Sequence, residues 1–521
     1  MSLGQAPSQS SLFLTGTAFC DSLLGATSIY RLLHRDCHRL FPDELFSDLF
    51  KDTGRRSVPP QIVAVVMVLQ RLEGLSDREA VDRFAFDLRW KYAAGGLESD
   101  YPGFVHTVLV DMRARLRASA RPDRIFEVVL EVAKQAGLVG RKRVLDSTAL
   151  YDAVATQDTV TMVRGAIRSL LAVADAELEA ELRGVLKRDD DYRTAGKPAC
   201  EWDDKAARES LIDALARDAH AMLSVLHGRS FREPTQQAAA LLATVVGQDI
   251  EKQQGVFRLV HGVAPDRVLS VVDPEARHGH KTSARGFDGY KGHIALDPES
   301  EIITATEVTA GNVGDGVPAE KLLNDVLTSR EKPAESEPNE VYGDASYGGA
   351  DLVETLEAAG LEPNVKVQPP AAREGHFSQE DFHIDLDAST VQCPAGQWGK
   401  LRLIKDGSSE ANFGKHCDDC PLRPQCTKSS RGRKIRVHPK HRTLQRQRRR
   451  QRDPNWKARY RATRPKVERK FAHLMRRRHG GRRARVRGRL RVGQDFSLLA
   501  AATNLARMAV LGAKMAVTTG A

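Results

Sequence analysis

Hydrophobic runs are short in this chain of 521 residues. The longest uninterrupted one, Ile62–Leu69, falls far below the roughly 20 apolar residues that a membrane-spanning helix needs. The apolar segment Leu498 to Val517 is broken by Thr503, Asn504, Arg507 and Lys514, so it reads as a core helix. No basic stretch followed by a clean apolar one opens the chain, and no secretory signal is expected. Cysteine is sparse, seven residues and an odd number, with Cys20, Cys37 and Cys200 scattered. That suits a reducing cytosol better than a disulfide framework. No internal repeat is visible. With 41% hydrophobic residues the chain is expected to be globular, with two or three domains.

The sharpest shortage is of negative charge between Thr427 and Arg491, where 28 Lys and Arg face only Asp453 and Glu468. The chain as a whole carries +11, so everything outside this stretch sums to −15. Such a run suits a polyanion, because Lys and Arg neutralise phosphates and release their counterions. Glu468 should be repelled by the same polyanion unless a cation stands between them. The commoner reading of a basic run is a solvated tail, and of a lone Glu among arginines a salt-bridge partner. Against a tail, Tyr460, Arg464, Glu468, Phe471 and Leu474 recur at helical spacing beside Val467. Arg464 and Glu468 lie one turn apart and can pair. The stretch predicts a structured amphipathic helix.

Residues from about 30 to 135 read as helices. Ser57 and Pro59-Pro60 open an apolar stripe of Ile62, Val65, Val66 and Leu69 that Gly74 ends. Ser76-Asp77-Arg78-Glu79 is a capping box for a second helix, and the pair fits either a helix-turn-helix or an ordinary helical hairpin. Arg143–Thr148 predicts a short strand ending in Asp146, and residues 155 to 255 are again helical, for example Leu170 to Leu186. Tyr290–Leu296 and Ile302–Val308 predict a hairpin turning at Asp297–Ser300, with a helix near Pro318–Leu327 after it. Glu340–Asp344 predicts another strand ending in an acid, followed by a helix at Ala350–Ala359 and a strand near Asn364–Val367. This order suits a mixed α/β sheet flanked by helices.

An aspartate at a strand end is commonly a turn former or helix cap. Two of them with an out-of-place helical Glu form a different pattern. Three converging carboxylates repel strongly in a poorly solvated cleft and need cations. Mg²⁺ asks for few carboxylates, completing its shell with water and phosphate oxygens. A pair of such ions activates a water or a 3′-hydroxyl and stabilises the leaving oxygen.

Five segments then stand in a telling order: Val144–Thr148; Asp288-Gly289-Tyr290-Lys291-Gly292-His293; Val308–Asn312; Gly343-Asp344-Ala345-Ser346-Tyr347-Gly348; and Glu468–Phe471 with Arg476–Gly481. In these the chain resembles the DDE-type transposases of bacterial insertion sequences. The resemblance implies an RNase H-like mixed sheet flanked by helices, preceded by an all-helical N-terminal domain. It implies Asp146, Asp344 and Glu468 as the catalytic, metal-binding triad, with two Mg²⁺, or Mn²⁺. Tyr460 and Arg464 are similar to family residues ahead of the glutamate, although their gap is one residue longer, and Met475 stands where the family carries lysine. DNA contacts are expected from Lys291, Arg464, Lys470, Arg476, Arg477, Arg478, Arg482 and Arg483.

The expected layout is an N-terminal DNA-binding domain, 1–135, and a core from 136–154, 263–368 and 446–521. A helical insertion, 155–262, and a Cys-rich basic insertion, 369–445, interrupt it. Cys417-x2-Cys420 has zinc-knuckle spacing, and Cys393 and Cys426 would complete a Cys₄ set, but Cys420 and Cys426 are too far apart for a second C-x2-C and His416 competes. Structural zinc and reduced thiols both remain open. The expected activity is a bacterial, cytoplasmic, nucleoid-associated transposase. It would bind terminal inverted repeats and target DNA as a homo-oligomer, hydrolysing strands and transferring their 3′ ends. An inactive DNA-binding regulator or transposase remnant, and a metal-dependent nuclease without strand transfer, are the alternatives.

Overall fold

The computed structural model describes residues 15–51, 56–153, 156–282, 285–329 and 339–512. Helices come first: α1 (Gly16–Leu23), α2 (Ile29–Leu40), α3 (Pro60–Glu73), α4 (Asp77–Phe86), α5 (Leu88–Ala93), α6 (Thr107–Ala118) and α7 (Arg124–Gln135). Pro60 starts α3, where its missing N–H is harmless, and every residue from Ile62 to Leu72 is buried. A helix apolar on all sides belongs in a core. Gly74, at φ +70°, ends α3, and the reciprocal Ser76–Glu79 capping box starts α4.

After β1 (Arg143–Tyr151) come α8 (Thr159–Val173), α9 (Ala176–Gly184), α10 (Lys205–Leu226), α11 (Glu233–Asp249) and a small hairpin of β2 (Ile250–Gln253) and β3 (Val256–Leu259). These helices enclose a core of their own around Met162, Ile167, Leu215 and Leu242. The stretch Leu170 to Leu186 divides between α8 and α9, because the Asp175 carboxylate caps a new helix by accepting from the Leu178 N–H.

The chain then returns with β4 (Arg277–Thr282), β5 (Arg285–Leu296), β6 (Ile303–Ala310), the short α12 (Ala319–Leu322) and α13 (Asn324–Leu327), β7 (Glu340–Gly343), α14 (Ala350–Ala358) and β8 (Glu362–Val365). Six strands form one mixed sheet in the order β4-β5-β1-β7-β8, with β6 also on β5. β1 lies antiparallel to β5 and parallel to β7.

A unit of two three-stranded sheets follows: β9 (His383–Asp385), β10 (Thr390–Gln392) and β11 (Trp398–Lys400), then β12 (Arg402–Leu403), β13 (Ser409–Asn412), α15 (Arg423–Cys426) and β14 (Lys434–Val437). Its small core holds Phe382, Val391, Phe413 and Ile435 beside Cys417 and Cys426. The described chain ends in α16 (His441–Arg450), α17 (Pro454–Thr463), α18 (Pro465–Leu474) and α19 (Arg489–Val510). No helix among the described residues is long and apolar enough to cross a membrane. The expected core helix from Leu498 onward is the later part of α19, and its residues beyond 512 lie outside those described.

Helix α19 ties the molecule together. Phe496, Leu499, Ala501 and Leu505 sit in one continuous core with α3, α7 and the sheet face that carries Val144, Ile294 and Tyr342. Asn504, fully buried, accepts from the Ile303 N–H at 2.9 Å and donates to its carbonyl at 2.8 Å. The opposite sheet face, with Leu145, Ala295 and Val341, packs on α12 to α14. The result is an α/β protein with an N-terminal helical region and a mixed sheet flanked by helices, consistent with an RNase H-like core.

Candidate active site and nucleic-acid surface

Strand register brings the two aspartates together. Val144 pairs with Tyr342 across parallel β1 and β7, so residues two further on, Asp146 and Asp344, stand level at the same end of the sheet. Adjacent strands are about 4.8 Å apart, and side chains of equal parity share a face. Asp146 lies within β1 rather than at its end, since pairing with β5 continues through Tyr151. Asp344 does follow its strand directly, and its carboxylate accepts from the Ser346 N–H at 2.8 Å, capping a short 3-10 turn.

The third acid arrives on α18. The Tyr460–Leu474 stripe is not one unbroken helix, because Pro465 supplies no N–H and divides α17 from α18 at Arg464. Val467, Phe471 and Leu474 are buried against the sheet, and Glu468 is turned outward. The β5–β6 turn fastens this helix, Glu299 pairing with Lys466 at 3.2 Å and Glu301 with Arg469. On α17, the Tyr460 hydroxyl donates to the Gly343 carbonyl at 3.1 Å, beside Asp344, and Trp456 stacks on its ring at 4.9 Å.

Arg464 joins the three acids. Its Nη2 lies 3.0 Å from Asp146 Oδ1 and 4.0 Å from Asp344 Oδ2, and its Nη1 lies 3.4 Å from Glu468 Oε1. The Arg464 side chain is 8% exposed, Asp146 15%, Asp344 42% and Glu468 64%, so the group opens from a buried floor toward solvent. Burial pushes the Asp146 carboxyl up to about 6, with Arg464 and the Ser147 N–H pulling against it. The Tyr347 hydroxyl, buried without a hydrogen-bond partner among the described residues, is held well above its ordinary value by burial and then by Asp146, Asp315 and Asp344. Tyr347 and Asp315 are additions to the site's surroundings. Tyr347 belongs to the Gly343–Gly348 segment, and Asp315 follows the Val308–Asn312 segment by three residues.

The donor chemistry of these acids suits a hard divalent cation. Among the described residues, however, no three His, Cys, Asp or Glu side chains stand close enough to hold one metal ion. The Arg464 guanidinium occupies the ground between the carboxylates. Cys393, Cys417, Cys420 and Cys426 likewise converge, lining one cavity of about 20 Å³ with His416, also short of a metal-holding spacing. Burial raises the Cys426 thiol.

The basic stretch divides in two. From Lys434 to Arg459 most cations meet acids from elsewhere in the chain: Lys440 with Asp351 and Glu354, Arg446 with Glu357, Arg450 with Glu362, Arg452 with Glu380, and Arg459 with Glu340 and Glu362. Arg476, Arg477, Arg478, Arg482 and Arg483 are exposed and have no ion pair among the described residues. Two other expected DNA contacts are buried or engaged. Lys470 is 4% exposed, on the side of α18 away from Glu468, and burial pushes its ammonium down to about 8. Lys291 pairs with Asp315 at 2.8 Å on the sheet face opposite Asp146. Arg464 faces the acids.

The arginine segment is docked on the turn between α3 and α4. Arg71 donates to the His479 carbonyl, the His479 Nδ1–H to the Leu72 carbonyl, and Arg485 to the Leu75 carbonyl. Helix α4 itself carries Asp77, Glu79 and Asp82 against Arg78 and Arg83, the wrong balance for a phosphate surface.

Two family models match the sequence, the transposase DDE domain over residues 392–509 and a transposase domain (DUF772) over residues 29–115. The first spans Glu468 and the arginine segment, the second α2 to α6, and Asp146 and Asp344 fall between them. No curated protein and no solved structure matches. Both matches indicate a DDE transposase of an insertion sequence.

Proposed function

We propose that this transposase cleaves DNA at the ends of its element and joins the freed ends to target DNA, using Asp146, Asp344 and Glu468. The observation that carries this is the convergence of these three acids, from two strands and a helix more than 100 residues apart, on one buried guanidinium. The three carboxylates would hold one or two Mg²⁺ or Mn²⁺ ions. Bound there, such ions supply an activated water or 3′-hydroxyl and relief of charge on the leaving oxygen.

In the first step the water oxygen bonds to phosphorus, and the 3′-oxygen leaves, taking a proton. In the second, that 3′-oxygen bonds to a target phosphorus and a target 3′-oxygen leaves. One phosphodiester is formed for each one broken in the second step, so no nucleotide energy source is required. Arg476, Arg477, Arg478, Arg482 and Arg483 would hold the phosphates flanking the acids, and the family's DNA binding supports that assignment. The helices of residues 1–135 would read the terminal inverted repeats, and 155–262 and 369–445 would be insertions into a core of 136–154, 263–368 and 446–521. Holding two ends at once calls for a homo-oligomer. Zinc on the four cysteines is the second cofactor the sequence allows. Zinc content of protein purified without chelator decides between it and four reduced thiols.

The test uses DNA carrying the element's ends with Mg²⁺ or Mn²⁺. Nicking and strand transfer lost in Asp146→Asn, Asp344→Asn and Glu468→Gln, with DNA binding kept, is the expected result. Nicking without transfer supports a nuclease, and tight binding without nicking under any metal supports a regulator.

A further inference from the structure

Arg464 is not held in the way a structural arginine is. Two other buried arginines of this chain fork onto one carboxylate: Arg164 meets Asp190 at 2.7 and 2.8 Å, and Arg124 meets Asp48 at 2.5 and 2.8 Å. Such paired contacts give a guanidinium its strongest fit. Arg464 instead spreads one charge over three acids at 3.0, 3.4 and 4.0 Å, and its buried Nε and Nη1 have no hydrogen-bond partner among the described residues. Unpaired buried donors are unfavourable, so what keeps the group there is the field of the carboxylates. It stands among the three acids, whose spacing in this structure is too wide to hold a metal ion among the described residues.

We propose that Arg464 is the resident counter-ion of the metal-free site and is displaced when a divalent cation enters. This rests on the reading of Asp146, Asp344 and Glu468 as metal ligands. With no metal, the guanidinium suppresses repulsion among the three carboxylates and keeps them aimed at one point. A cation must then win that point from Arg464, so the site stays closed to weakly bound ions.

The experiment is Mn²⁺ binding to the full chain, read by the loss of the free Mn²⁺ paramagnetic resonance signal, together with thermal unfolding in chelator and in saturating Mn²⁺. Arg464→Gln is expected to bind Mn²⁺ roughly tenfold tighter or more, because a direct competitor within about 4 Å has gone. Arg464→Gln should also unfold earlier than the wild type in chelator, and this deficit should shrink in Mn²⁺. Arg461→Gln, which removes the same charge from an exposed position on α17, should change affinity little. Arg464→Lys preserves the charge should the Gln variant not fold; a single ammonium cannot span three acids, so it too should bind Mn²⁺ more tightly than wild type. Equal affinity in wild type and both Arg464 variants, or equal tightening in Arg461→Gln, overturns displacement. If wild type binds Mn²⁺ no better than the Asp146→Asn, Asp344→Asn, Glu468→Gln triple variant, the metal-site reading itself fails.

Discussion

Replacing Asp146 by Asn is expected to stabilise the protein at neutral pH while abolishing strand cleavage. In the folded chain burial lifts the Asp146 carboxyl to about 6 from an ordinary 3.8. The folded state therefore prefers the neutral acid more than the unfolded chain does. The sign follows by linkage: no penalty below pH 3.8, a growing one between 3.8 and 6, and a constant one above. At about 1.36 kcal/mol per pH unit, the plateau is about 3 kcal/mol. Asparagine has the shape of the protonated form and escapes that penalty. For unfolding of all 521 residues as one unit, with an entropy of about 2.1 cal/mol/K per residue, this is a rise of roughly 3 °C at pH 8. At pH 4 the same relation leaves less than about 1 kcal/mol. The assay is thermal unfolding of both proteins in chelator at pH 4 and pH 8. A variant less stable at pH 8, or a gap equal at both values, would refute the reasoning.

Three further outcomes are expected. Changing Arg476, Arg477 and Arg478 to Gln should weaken DNA binding and reduce the log–log salt slope by about 0.9 per lost phosphate contact, whereas Arg446, Arg450 and Arg452 to Gln should leave the slope unchanged; fluorescence anisotropy over a salt series measures both. Asn504→Leu keeps the branching at Cγ but strands the buried N–H and carbonyl of Ile303, a loss of about 2–4 kcal/mol visible in thermal unfolding. Gly74→Ala places a Cβ against the Arg478 carbonyl at a left-handed position, and should lower stability by about 1–3 kcal/mol and weaken DNA binding as the arginine segment shifts. Unchanged unfolding and DNA affinity in that variant would mean the docking of residues 476–485 is of no consequence.

Local patterns carried much of the fold. The capping box at Ser76, the Gly74 stop and the Asp297–Ser300 hairpin depend on near neighbours and stand where the sequence placed them. Boundaries were less legible where a tertiary partner or a single residue intervened. β1 runs past Asp146 because β5 continues alongside it, and the glutamate helix is divided because Pro465 lacks an N–H. Tyr347 had no local signal for a role, since only folding brings its hydroxyl within the field of Asp146 and Asp344.

By itself the sequence determined the types of the N-terminal helices and of the central strands β1, β5, β6 and β7, the three acids as candidates and the concentration of positive charge, because periodicity, caps and composition are short-range properties of the chain. Only the tertiary structure decided how that charge is used. Acids from α14, β7, β8 and Glu380 neutralise the Lys434–Arg459 part, while Arg476, Arg477, Arg478, Arg482 and Arg483 after α18 have no ion pair among the described residues. Likewise, only the register of β1 on β7, with α18 laid across it, put one guanidinium among three carboxylates. Charge pairing depends on distance in space, and residues separated by more than a hundred positions acquire that distance only when the sheet forms.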